Sequence, residues 1–291
     1  MILCGMYQIV HERSTQHHMA SSKINLIYIV GSGHCGSTLL DLLISSAPEV
    51  FTLGEFGFFN IYKENRIYNK NGVNNYCTCK RFFHHCPFWQ TIKDRDQFFI
   101  KKNFSFSDTS RILRTAFSPF SQSANPPHTD DTFELLQAIN THYFGEANAP
   151  DYYLDSSKDP RRLYYLMNDS RLQVYPIFLV KNGTSVARSY SKPSRPHPKK
   201  HNFFMSYALR WLLVNKTAQN LLQDQTYTYV SYEDFCDTPL SHLASLNEQL
   251  DISIPVRSTD ELLDTVNNTT YHSIDGNRIR FSPITEIKRK H

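Results

Sequence analysis

The stretch Ile24 to Leu43, INLIYIVGSGHCGSTLLDLL, leaves few folds open to this chain. An apolar run, a glycine-rich turn and a leucine-rich segment in direct succession describe a buried strand feeding a phosphate-binding turn and a helix. Gly31 and Gly33 can take positive φ without steric cost, and Gly36 lets the backbone pass close to a ligand. Successive N–H groups then converge on an anion at the helix N-terminus. The spacing from Gly31 to Gly36, followed by Ser37-Thr38, is that of a Walker A loop, but Ser37 stands where the lysine of that loop belongs. The grip on β- and γ-phosphates is therefore missing. Such a cradle suits a nucleotide ending in one activated phosphoryl-like group better than a triphosphate.

With 291 residues, 40% of them hydrophobic, the chain can bury a substantial core, so disorder over most of its length is excluded. Residues 23–291 are expected to form a single α/β domain, an open parallel sheet flanked by helices, with an irregular cysteine- and aromatic-rich insertion over about 56–130. A net charge of +4 is too mild for a general nucleic-acid surface, and no run approaches the roughly 18 apolar residues of a membrane span. Residues 1–22 lack the apolar core of a signal peptide and are expected to be a loosely ordered leader. Six cysteines over this length make no disulfide framework, which points to a reducing, cytoplasmic setting.

Beyond the loop, apolar residues from Leu39 to Ile44 keep helical register and Pro48 stops them. A strand over Val50–Leu53 then delivers Glu55 to its end. Between 60 and 105 the αβ rhythm breaks around Cys77-Thr-Cys79, His84, His85 and Cys86-Pro-Phe-Trp89. Those cysteines with either histidine offer four zinc ligands, but C-x-C-x₆-C is not a common finger spacing. A thiol-lined or disulfide-stapled knot that packs Phe88 and Trp89 is the preferred reading, and no metal is expected. Helices are predicted over 107–117 and 132–143, separated by a Ser/Pro-rich loop. Tyr152–Leu154 reads as a short strand, Asp155–Asp159 as a polar turn holding Lys158, and Pro160 as a helix start. Val174–Val180 is the next buried strand, with Pro176 indicating an early or edge position, and it delivers Lys181. A basic run over 192–201 follows. Phe203–Leu222 is an amphipathic helix whose Phe204, Ala208, Trp211, Ala218 and Leu222 stripe is expected in the core. A strand over Tyr227–Val230, a leucine helix and a basic terminal flap over 271–281 complete the chain.

Four motifs in this order make the chain resemble the sulfotransferases that use 3′-phosphoadenosine 5′-phosphosulfate (PAPS), and within them a microbial subgroup with a G-x-G-H-x-G-S-T-L-L loop. They are His34-Cys-Gly-Ser-Thr38, Asp155-Ser-Ser-Lys-Asp-Pro160, Lys181 with Ser189 eight positions on, and Ser231-Tyr-Glu-Asp234 followed by His272 to Phe281. The resemblance implies that Gly33, His34, Cys35, Gly36, Ser37 and Thr38 hold the phosphosulfate. It implies that Lys181 and Ser189, with Arg278 and Arg280, hold the rest of the donor. Glu55 lies 21 positions after His34, as does a glutamate after the loop cation in the tyrosylprotein branch, and is nominated as general base; capping the next helix is its other use. Lys158 is the remaining cation for the bridging or a sulfonate oxygen, unless it is a surface lysine at a helix start. His34 replaces a permanent cation and is an acid, a plain donor, or a residue whose charge Lys158 supplies; Cys35 packs or donates weakly. The acceptor, whether small molecule, carbohydrate or peptide, is not legible. A P-loop kinase or another nucleotide phosphotransferase is the first rival, and a non-catalytic module around the cysteines the second.

Overall fold

The computed structural model describes residues 23–63, 76–92, 97–100, 117, 130–190 and 203–289. In it the apolar run becomes β1 (Ile24–Gly31), the middle strand of a sheet. The flanking strands are β2 (Val50–Gly54), β3 (Tyr152–Lys158), β4 (Leu172–Val180) and β5 (Thr228–Ser231). Among the described residues the order is β2-β3-β1-β4-β5, and every pairing is parallel.

A strand buried on both faces must be apolar at consecutive positions, and β1 divides its side chains by the period of two. Ile27 and Ile29 point to one layer, with Leu39 and Leu43 of α1 (Ser37–Ile44), Leu243 and Leu262. Leu26, Tyr28 and Val30 point to the other, with Phe56, Phe59, Phe83, Phe88, Trp89 and Leu135. These aromatics stack on one another and are essentially inaccessible, each phenylalanine contributing about 1.5–3 kcal/mol by burial. The described residues between 56 and 92 thus supply much of a second core on this face of the sheet.

Several boundaries differ from expectation for physical reasons. β3 runs on to Lys158 where a polar turn was expected after Leu154, because Asp155 and Ser156 are buried with partners of their own. β4 is an interior strand, yet β5 pairs with it only from Ile177, so Pro176 lies where the outer side is open. The segment Tyr271–Phe281 is no flap: Tyr271, Ser273, Ile274 and Arg280 are buried, and Ile274 bridges Gly54 at the end of β2. The helix Phe203–Leu221 buries Ala218, and Leu222 just past its end, but leaves Met205 72% and Leu212 53% exposed. Phe204 is also exposed, so the expected core stripe holds only toward the helix C-terminus. The leader 1–22, the loop 118–128 and the basic run 192–201 lie outside the described residues, as does nearly all of the helix expected over 107–117. Among the described residues no helix is long and apolar enough to cross a membrane.

Candidate active site

The turn between β1 and α1 holds its shape through backbone twist and two tyrosines. Gly36 has φ 99°, and a Cβ there would stand 2.4 Å from the ring of Tyr232. The other positive φ of the turn falls on His34, at 66°, and not on Gly33. Gly33 is needed instead because the Tyr190 hydroxyl would lie 2.0 Å from its Cβ. Tyr190 also meets the His34 ring edge-on at 4.2 Å, and Ser189 Oγ is 3.2 Å from His34 Nδ1. On the other flank Lys181, buried at the end of β4, sets Nζ 4.1 Å over the Tyr232 ring. Lys181 and Ser189 therefore both border the turn. Ser37 is buried at the start of α1, while the Cys35 side chain belongs to the core, where burial pushes its thiol up.

The strand order sets the cations. β3 and β4 flank β1, with Val30 level with Lys158 and Gly31 level with Leu179, so Lys158 and Lys181 rise on opposite sides of the turn. Lys158 has φ 71°, and its Nζ reaches Glu55 Oε1 at 2.6 Å and the Ser156 carbonyl at 2.9 Å. Burial works most strongly against the ammonium, but the Glu55 carboxylate together with Cys35 and Asp275 holds the lysine pKa above its ordinary value. The Glu55 side chain caps no helix; it faces Lys158.

Beneath the turn a polar layer supports these groups. Asp41 on α1 is fully enclosed and accepts from Ser156 Oγ at 2.6 Å and from Ser45. Burial pushes its carboxyl up to about 6, against those hydroxyls, Thr52 and the charge of Lys158. Arg162, 1% exposed, donates to Asp155 at 2.9 Å, Asp130 at 2.8 Å and Thr132 at 3.0 Å. The second oxygen of Asp155 accepts from the Ser157 N–H and hydroxyl, and Ser157 Oγ accepts from Gly57 N. This lattice fixes the end of β3.

The C-terminal segment closes the remaining side. Glu55 N donates to Ile274 O at 2.9 Å, and Asn277 N donates to Thr38 Oγ1 at 3.0 Å. Arg278 is exposed, whereas Arg280 is buried and donates one Nη to Ser273 O. Among the described residues its Nε and second Nη are buried and meet no acceptor in good hydrogen-bond geometry, with Tyr62 a polar neighbour that feels its charge.

With these elements in place, the chain aligns with the sulfotransferase domain of the curacin biosynthetic pathway over 91% of its length and 85% of that domain. The TM-score is 0.50 at 17% identity. The fold is that of a sulfotransferase domain. The sulfotransferase domain of the Synechococcus PCC 7002 olefin synthase aligns over 93% of this chain and 83% of that one, with TM-score 0.46 and 15% identity. No family model and no curated protein matches the chain in sequence. In this sulfotransferase fold the turn lies beyond the carboxyl end of the middle strand, where open α/β sheets receive ligands.

One further cluster borders the site. Cys77, Cys79 and Cys86 converge as the sequence suggested, but the histidine among them is His272. His84 and His85 pack instead on Phe83 and Phe82. Sequence reasoning missed His272 in this role, along with Tyr190, Arg162 and Asp41; Tyr232 was visible only as part of its motif.

Proposed function

We propose that the chain moves a sulfuryl group from PAPS to a hydroxyl or amine of an acceptor by in-line displacement. The observation that carries this reading is a lysine-free cradle with one lysine on each side, Lys158 from β3 and Lys181 from β4. PAPS carries its anionic groups at two separate places on the ribose, the 5′-phosphosulfate and the 3′-phosphate, whereas a triphosphate lines them up in one chain. The unpartnered donors of Arg280 fit the same requirement, since a buried N–H without an acceptor is costly and an anion satisfies it.

In this reading the donor supplies the sulfuryl group and an oxygen that leaves with the bond's electron pair. The backbone N–H groups of the turn and Ser37 hold the phosphosulfate, with Gly33, Cys35 and Thr38 shaping the cradle. Lys181, Ser189, Arg278 and Arg280 hold the 3′-phosphate side. Glu55 takes the acceptor proton as the new S–O bond forms. Lys158, kept charged by Glu55, stabilises the leaving oxygen in the transition state. His34 donates a hydrogen bond to the same group from the tip of the turn.

A P-loop phosphotransferase is the alternative, and it requires an acid beside the loop to hold Mg²⁺. Asp155 on the neighbouring strand commits one oxygen to Arg162 and the other to Ser157. Phe56, Phe59, Phe83, Phe88 and Trp89 of the insertion are core rather than acceptor-lining, so the choice among a small molecule, carbohydrate or peptide acceptor falls to transfer assays on fractionated extract. The deciding measurement compares thermal unfolding with adenosine 3′,5′-bisphosphate against ATP and Mg²⁺. At a hundredfold excess over Kd the former should add about 2.7 kcal/mol, a rise of about 5–10 °C. Stabilisation by ATP and Mg²⁺ alone would overturn the assignment.

A further inference from the structure

We propose that Cys77, Cys79, Cys86 and His272 form a structural zinc site that joins the cysteine-rich insertion to the C-terminal segment. Their four ligand atoms lie within 4.8 Å of one another. His272 Nδ1 is 3.2 Å from Cys86 Sγ and 3.8 Å from Cys77 Sγ, and Cys79 Sγ is 3.6 Å from Cys86 Sγ. A tetrahedral ion with Zn–S of about 2.3 Å and Zn–N of about 2.0 Å requires S···S edges near ~3.8 Å and S···N edges near ~3.5 Å. Those three edges are close to the required lengths, and the remaining three lie within 4.8 Å.

The local backbone serves the same end. Cys77 N donates to Arg81 O at 2.8 Å and Lys80 N to Cys77 O at 2.9 Å, with Lys80 at φ 65°, a tight reversal that turns both thiols of Cys77-Thr-Cys79 to one side. The three thiols are not joined in disulfides. His272 comes from 186 residues beyond Cys86 and is fixed in place. Phe88 stacks on its ring at 5.3 Å, Trp89 Nε1 donates to its carbonyl at 3.0 Å, and Thr78 bonds to Ser273.

Binding releases three thiol protons to solvent and uses the Nδ1 lone pair of a neutral His272, leaving a centre of net charge −1 with no change in oxidation state. Four protein ligands close the coordination sphere, which makes the ion structural. It would anchor the strand of backbone that two residues later bonds Glu55 N and five residues later bonds Thr38. The proposal does not depend on sulfuryl transfer, because its test reads metal and not turnover.

The full chain, purified under reductant without chelator, should carry one zinc per chain by elemental analysis. Cobalt(II) replacing it should show the visible bands of a tetrahedral thiolate site. His272→Ala should lose the stoichiometric metal, His272→Cys should retain it, and the double variant His84→Ala/His85→Ala should match the parent. A folded chain that holds far less than one zinc and takes up none when it is added would overturn the site. So would a disulfide among the three cysteines, iron in place of zinc, or an unchanged cobalt spectrum in His272→Ala.

Discussion

Replacing Lys158 by methionine removes the charge that faces Glu55 while keeping most of the side chain's bulk. At 2.6 Å, with the two side chains 11% and 16% exposed, the attraction is about 6 kcal/mol at an effective dielectric constant of 20. Desolvation of both groups offsets much of that, but breaking a buried pair leaves the survivor's charge uncompensated, at a cost of about 3–5 kcal/mol. Because the pair keeps some exposure, about 3 kcal/mol is expected for Lys158→Met by urea unfolding at pH 7. The positive φ at Lys158 is the same in both proteins and cancels. In a Glu55→Gln background the same change should cost far less, giving a coupling energy of about 2 kcal/mol or more. A coupling near 0.5 kcal/mol, the level of an exposed pair, would show that the two groups do not meet in solution. The proposed division of labour between base and cation would fall with it.

Asp41 makes stability depend on pH. Its carboxyl, pushed up to about 6, binds a proton more tightly in the folded state, so stability held at acid pH is lost as pH rises from about 4 through 6. Relative to Asp41→Asn, the parent should lose about 3 kcal/mol between pH 4 and pH 7 in denaturant titrations; a constant difference would refute the burial argument. Gly36→Ala should destabilise by about 1–2 kcal/mol from its left-handed backbone alone and weaken adenosine 3′,5′-bisphosphate further, through the Tyr232 contact, as calorimetry would show. Arg280→Met should cost little stability, since two of its donors are unpartnered, yet weaken adenosine 3′,5′-bisphosphate at least tenfold, about 1.4 kcal/mol. Unchanged affinity would remove Arg280 from the site.

Much of the architecture was legible because β1, the turn and α1 satisfy local rules at most residues: alternation into two cores, glycine at one of the turn's two left-handed positions although His34 holds the other, leucines in helical register. The places of Glu55 and Lys181 near strand ends were legible for a related reason, since each follows closely on an apolar run that had to be a strand. Lys158, in contrast, read as part of a polar turn and lies instead at the end of β3. The mutual arrangement of the three was not legible, because only the strand order sets Lys158 against Glu55 and Lys181 on the far side. His272 was hidden by distance along the chain and by a segment whose burial rests on backbone bonds rather than on periodic side chains. The helix Phe203–Leu221 misled in the opposite sense: its apolar pattern extends past the turns that reach the core.

The bond from Asn277 to Thr38 spans 239 residues of sequence, and it closes a turn that is otherwise complete once β4 and the Tyr232 helix have formed. During synthesis the sheet can therefore assemble before the last wall of the site leaves the ribosome. Loop-closure entropy grows only slowly with such a span, so the delay is one of timing more than of energy. A nascent chain reaching only to residue 270 would own every strand and both lysines yet lack the Arg280 side of the cradle. The wall that Asn277 and Arg280 form would therefore arrive only after every described strand has been made.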